Sequence, residues 1–408
     1  MSDNEQLNSK LADLQKTSFV VGMVALAAFI LMGFLGSEPR EFFQSYMIGY
    51  LYALGATLGG LGFLCIHHLA GGGWGYVSRR VFEAASKNIY LMAVLFIPVV
   101  FMMLKSGAYP WVDTKWAMSD HVVAQKLSYL TTGGFIVRAV ICFAIWAVFV
   151  YFLNHWSREQ DRTGDIIWRT KMKFLAGPAL LIYVLAMTVA AVDWVMSLEP
   201  TWFSSIFGVM FCIGQGITIL AFNIIFITWL AQFEPMKSAL KVNRLHDIGN
   251  LQFAFIILWA YIELSQFIII WSANLPEEIT WYMNRSRNGF EYVSTALVLL
   301  QFVIPFLLLL SRGTKRVAST VRKIAMGILA VRLVDLWWIV APSVHPGVAD
   351  MYRHGDEFVG FPLFFTDLLA PIGFGALWFA LFLKNFRGMP MLPTKDPMFS
   401  EDAEGGHA

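Results

Sequence analysis

The chain has 408 residues, of which 57% are hydrophobic and 14% charged, and its mean hydropathy is +0.60. That composition excludes an ordinary soluble domain and points to helices that cross a bilayer. A formal net charge of +2 gives no reason to invoke nucleic acid, and anionic membrane lipid is the expected partner of the basic loops.

Residues 1–17 are polar and mixed in charge, with neither a basic leader region nor a small-residue cleavage site. The first apolar run, 18–36, is therefore expected to be retained as span 1. Further runs fall at 43–70, 88–104, 133–154, 172–198, 202–231, 248–272, 290–311, 324–341 and 358–384. They suit a hydrocarbon core of about 30 Å. Lipid-exposed backbone must satisfy its own hydrogen bonds, so the runs read as helices, giving an all-α integral membrane protein of about ten spans. The termini and the loops after spans 2, 4, 6 and 8 hold 21 of the 30 Lys and Arg residues, and the loops after the odd spans hold 7. This bias places both termini in the cytoplasm. Arg138 and Arg332 lie inside spans. Residues 386–408 lose hydrophobicity and read as a mobile cytoplasmic tail unless another subunit binds them.

Span 5 ends with Asp193 seven residues before Pro200, and span 9 repeats the spacing with Asp335 and Pro342. Gly49 and Gly55 in span 2 are echoed by Gly208 and Gly214 in span 6. Odd spans share a direction, so the repeat is parallel. It divides the chain into two four-helix bundles, about 43–198 and 202–341, flanked by spans 1 and 10. The outer loop 105–132 carries Trp111 and Trp116 and is expected along the membrane interface or against a partner.

Cys65, Cys142 and Cys212 are scattered, and no C-x-x-C or C-x-x-C-H motif occurs. The eight histidines fall at span ends, in loops or in the tail. No redox centre is expected in this chain. His67 and His68, at the cytoplasmic end of span 2, read as interfacial residues, with proton uptake the less favoured role. Gly71–Gly75 follows them as a turn, and no G-K-[ST] follows it that would make a phosphate loop.

Polar residues inside the spans are the informative ones. Arg332 and Asp335 share a face of span 9 and can pair locally. Arg138 and Asp193 lie toward the outer side of spans 4 and 5, where they can pair across helices. Glu263 is mid-span 7, with Gln266 one turn on and Tyr261 close by. Asp367 precedes Pro371 by four residues in span 10. Gln215 and Gln301 add uncharged groups near the same depth. Taken singly these residues are interhelical ties worth about 0.6–2 kcal/mol. Embedded charges as a set more often mark ion or proton routes. Glu263, Asp335, Asp193 and Asp367 are the right types for a relay, with Arg332 holding Asp335 ionised as a gate or lock. Glu277-Glu278, after Pro276, suit a helix start or an acidic outer patch.

Span 7 and its exit carry a recognisable sequence: His246-Asp-Ile-Gly-Asn250, Trp259-Ala-Tyr-Ile-Glu-Leu-Ser-Gln-Phe267 and Trp271-Ser-Ala-Asn-Leu-Pro-Glu-Glu-Ile-Thr-Trp-Tyr282. With Val192-Asp193-Trp194 and Glu199-Pro200, it resembles the second, smaller NrfD-like membrane subunit of alternative complex III, a bacterial quinol:electron-acceptor oxidoreductase. The resemblance implies a place in the bacterial inner membrane beside a homologous NrfD-like subunit that holds the quinol site. Iron–sulfur and multihaem cytochrome c subunits would be neighbours, and a terminal oxidase a further one. Menaquinone, c-type haems and iron–sulfur clusters would reside in those partners. The present type would supply proton half-channels or support.

Three functions stay open at this point: an accessory proton-conducting subunit, a chain that itself binds menaquinol, and a proton-coupled secondary transporter. The last is disfavoured by the lack of a Gly/Pro-broken helix pair. A reporter fused after Ala408 should be active only as a cytoplasmic type, and periplasmic activity would reverse the orientation.

Overall fold

The computed structural model describes residues 3–36, 38–287, 289–344 and 363–396. Among the described residues, ten helices are long and apolar enough to cross a membrane: α1 (Glu5–Leu35), α2 (Pro39–Ala70), α3 (Gly73–Lys105), α4 (Thr132–Thr163), α5 (Ile166–Leu198), α6 (Phe207–Leu230), α7 (Val242–Ala273), α8 (Phe290–Leu310), α9 (Ala318–Val344) and α10 (Thr366–Arg387). The protein is an all-α integral membrane protein. An even number of crossings brings both described ends of the chain to one side, the terminal side below; the other is the far side. Of the expected span 10, residues 358–362 lie outside the described residues, as does the tail beyond residue 396.

α2 and α6 are the centre. Their apolar windows are 94% and 83% buried, against 17% for α1 and 22% for α8. α2 packs on α3 and α5, and α6 on α7 and α9; the first group closes through α3–α4 and α4–α5, the second through α7–α8 and α8–α9. The groups join where α2 meets α6 and α9, and where α6 meets α5. α10 lies against α2 and carries α1 on its outer side.

Missing side chains set these contacts, as expected where lipid supplies no hydrophobic drive between helices. A Cβ on Gly59 would sit 2.3 Å from the Gln215 carbonyl oxygen, so backbone meets backbone between α2 and α6. Gly208 faces Thr188 of α5, and Gly49 faces Ala370 and Phe374 of α10. Gly22 and Gly373 seat α1 and α10 on each other. The unpartnered flank of α1 exposes Phe19, Val20, Val24 and Phe34, a surface suited to lipid.

Several helices outrun their apolar cores on the terminal side, where charged residues continue the helical turn. α3 is the extreme case. Residues 73–86, which the sequence presents as a loop, form a buried helix, broken from 89–105 at Lys87-Asn88. Arg79, Arg80 and Glu83 are each no more than 1% exposed. Arg79 pairs with Glu83 at 2.8 Å and with Asp396 at 2.7 Å; Arg80 pairs with Glu83 at 2.8 Å and with Asp161. Ser157 and Gln160 accept further bonds from Arg79 at 2.9 Å each. The segment 388–396 is thus bound to the bundle rather than a loose tail, with Leu392 buried and the Lys395 amine bonded to the Arg162 carbonyl at 3.2 Å.

The connection 106–131 also departs from expectation. Trp111 is 2% exposed and packs against Tyr109 and Phe135, not lipid. Lys126 donates to the Pro200 carbonyl at 2.7 Å, and the Tyr109 hydroxyl to that of Trp194 at 2.7 Å, so this loop is folded onto the far end of α5. Burial raises the Tyr109 phenol well above its usual range and keeps it a donor.

Gly59→Ala should destabilise the full chain by at least about 1–3 kcal/mol, because a backbone oxygen cannot step aside. Gly55→Ala, whose Cβ would meet Gln215 Cγ at 3.8 Å, should be tolerated. Thermal melting of both variants in detergent checks this.

Candidate functional site

One stripe of α7 faces the interior at the three- and four-residue spacing of a helix face: Gln252, Ile256, Trp259, Glu263, Gln266 and Ile270. α8 approaches with Ser294, Leu297 and Phe302, and α9 with Asp335 and Trp338. A short helix, Pro276–Asn284, starts at the proline of the acidic exit and delivers Tyr282 and Arg285. Together these line a half-open cavity of about 450 Å³, with Glu263, Asp335, Arg285, Tyr282, Trp338 and Phe302 among its walls. Its wall is mostly apolar, and its two carboxylates come from different helices. Among the described residues none hydrogen-bonds the Glu263 carboxylate.

Asp335 is held by Arg332 within α9, both buried. The guanidinium fits because Gly214 of α6 has no side chain: a Cβ there would lie 2.0 Å from Nη2. Arg332 Nε and Asp335 Oδ1 are buried with no protein partner among the described residues.

Arg285 closes the far end of the cavity. It bonds Glu199 at 3.2 Å, Ser343 at 2.8 Å and the carbonyls of Trp281, Trp338 and Ile339 at 3.0, 3.2 and 2.7 Å. Its guanidinium carbon lies 3.1 Å from the Trp281 ring centroid, and Trp281 stacks on Trp202 at 4.2 Å. Burial pulls the Arg285 pKa down to about 10 against the opposing pull of Glu199, so the guanidinium stays charged at neutral pH. Sequence reasoning quoted Glu199 but missed Arg285, which sits outside every span. The lone Arg285 and Arg287 after a Trp-rich exit were the only signal.

The other sequence candidates are placed elsewhere. Arg138 donates to Asp193 at 2.6 Å and to the Tyr129 carbonyl at 3.1 Å, the cross-helix pair the sequence suggests. Below Asp193 the first bundle is filled by aromatics: Trp194 meets Phe96 at 4.4 Å, Phe143 at 5.6 Å and Trp146 at 6.1 Å. Asp367 accepts from Ser45 at 2.6 Å, Gln44 at 2.9 Å, the Phe364 amide at 3.1 Å and Trp337 at 3.2 Å. That full set of donors ties α10 to α2 and α9. Gln215 accepts from Tyr183 and donates to Met187. Gln266 bridges Ser204, at 2.8 Å, and Tyr282, at 3.2 Å. Tyr261 is 64% exposed and turned away from Glu263, so it does not flank the carboxylate as its sequence position suggests. His67 is buried beside Trp74 rather than interfacial, and no side chain fits at Gly75, where a Cβ would lie 1.9 Å from Nδ1; His68 is half-buried.

Thus the structure gathers Glu263, Asp335 and Arg332 in the second bundle and leaves Asp193, Arg138, Asp367, His67 and His68 outside that cavity. Among the described residues no group of three or more His, Cys, Asp or Glu side chains could hold a metal ion. No family model matches this chain, and no curated protein matches it.

Arg332→Met leaves Asp335 charged and buried alone and should cost about 3–5 kcal/mol. Arg332→Met with Asp335→Leu should recover most of that in thermal melting of the full chain. Equal losses would argue against the pair.

Proposed function

We propose that this chain is a membrane subunit of a bacterial respiratory quinol:electron-acceptor oxidoreductase of the alternative complex III type, providing a proton route through its second bundle. In this reading both termini are cytoplasmic. The homologous NrfD-like subunit, the iron–sulfur and multihaem cytochrome c subunits and, further out, a terminal oxidase are its partners. Menaquinol, haems and clusters belong to those partners. The span 7 sequence carries the family part of the reading.

The observation that carries the proton part is the Glu263 carboxylate, exposed to a mostly apolar cavity that also holds Asp335. A relay carboxylate must be able to take and give up a proton, so a group saturated with fixed donors, as Asp367 is, makes a poor one. Glu263 has cavity space on one side and is one turn from Gln266, which bonds Tyr282 and leads toward the far side. Arg332 pairs with Asp335 on α9 and sets a fixed partner beside the route. Arg285, locked to Glu199 and Ser343, caps the route with a fixed positive charge.

A second reading has its own support. A volume of about 450 Å³ falls in the range of small-molecule sites, and Trp259, Phe267, Phe302 and Trp338 beside an acid suit a quinol ring. In that case Glu263 would accept a proton from the quinol hydroxyl.

Glu263→Gln keeps size and hydrogen bonding but removes the titrating proton. In the assembled complex, haem content and quinol binding should stay, while protons transferred per electron in vesicles should fall. Loss of quinol binding would favour the second reading. Unchanged proton stoichiometry at normal turnover would reduce Glu263 to a structural tie.

A further inference from the structure

Below the Glu263 cavity the second bundle keeps polar groups where a membrane protein gains most from apolar ones. Gln301, in the middle of α8, is 0% exposed, and Gln252 on α7 is 1% exposed. Among the described residues, neither the oxygen nor the nitrogen of either amide has a hydrogen-bond partner. Buried amides without protein partners call for internal water, because leaving all their donors and acceptors unmet is strongly unfavourable.

The two amides are not isolated defects. Gln252 lies on the same interior stripe of α7 as Glu263, about 16 Å along the axis at 1.5 Å per residue. Gln301 lies between those levels: its neighbour Phe302 lines the cavity, while Phe306 packs at 5.3 Å on Phe253, next to Gln252. The backbone around Gln301 opens into a π-helical turn over Val298–Val303. Pro305 just beyond it has no N–H to give, so a backbone carbonyl one turn back loses its usual donor. This stretch packs on both α7 and α9, the helices of Glu263 and of Arg332 and Asp335. Arg332 Nε and Asp335 Oδ1 add one donor and one acceptor with no protein partner. On the terminal side Gly249 makes room for the Lys315 stem, 3.0 Å from where its Cβ would be, and the Lys315 amine lies 5.1 Å from the Phe253 ring centroid.

We propose that a file of water threads the second bundle from the Glu263 cavity to the terminal side, held by Asp335, Arg332, Gln301 and Gln252 in turn and opening near Lys315. Its role as a conductor rests on the proton-route reading; its existence does not. The middle of the first bundle is packed instead with Trp146, Trp194, Phe96 and Phe143, where the two indole N–H groups, and no amide, lack a protein partner among the described residues. Glutamine suits such a file because it donates and accepts without titrating, so it orders water without holding a proton.

The test uses the full chain in lipid nanodiscs, with an electron cryo-microscopy map that resolves ordered water. Water density within hydrogen-bond reach of both amides is expected, and amides packed dry would overturn the file. Its conduction is tested with Gln252→Leu in the assembled complex, which should lower protons transferred per electron. An unchanged ratio in Gln252→Leu beside a lowered one in Glu263→Gln would remove the file from the route. An unchanged ratio in Glu263→Gln would sink the proton reading itself, while the map would still decide whether the water is there.

Discussion

The structure depends on one close contact, the meeting of the α2 and α6 backbones at Gly59 and Gln215. Two helices that approach this nearly exclude lipid from the seam between them, so the four-helix groups on either side form one body. The same closeness carries α6 past α9 with Gly214 foremost, and the space left by that glycine is filled by the Arg332 guanidinium. A charged group at mid-membrane is thus seated by an absent side chain two helices from the cavity it serves. Moving α6 outward by a methyl group would loosen Arg332, and with it the position of Asp335.

The two groups of four helices then diverge in what they enclose. The first has charges only at its ends, the Arg138–Asp193 pair on one side and the arginine hub of α3 on the other, with aromatic rings stacked between. It behaves as a post: its ion pairs sit at its ends and aromatic rings fill its middle. The second reverses this, with Arg285 and Glu199 closing the far end and glutamines, an arginine and two carboxylates continuing inward. A buried charge pair is weak evidence for stability, since apolar packing of similar volume often does as well. Two carboxylates, an arginine and two glutamines kept along one interior are therefore better explained by use than by strength.

Much of this was legible in the sequence. The ten helices follow from run length, and the Arg332–Asp335 and Arg138–Asp193 pairs from spacing and depth. Gln252 was legible too but overlooked: stepping back from Glu263 by four, three and four residues lands on it. Other features were hidden for physical reasons. Residues 73–86 look like a loop because their charges are neutralised by each other and by Asp161 and Asp396, which lie far away in the chain. Tyr261 looks like a partner of Glu263 because the two are only two positions apart in sequence, yet a helix turns them about 200° apart, onto nearly opposite faces. Asp367 looks like a relay because burial is visible from sequence and its four donors are not.

The hydrogen bond from Arg79 to Asp396 joins residues 317 positions apart, and it gives the chain a direction in time. The arginine is synthesised with the third helix, whereas its carboxylate emerges only after all ten helices have been made. During that interval one guanidinium nitrogen must rely on water or on a transient neighbour. The segment 388–396 therefore acts as a clasp, closing the terminal side of a molecule whose helices are already in place. A chain interrupted between residues 388 and 396 would keep every membrane helix and still leave one buried guanidinium nitrogen without the carboxylate that finishes the cluster.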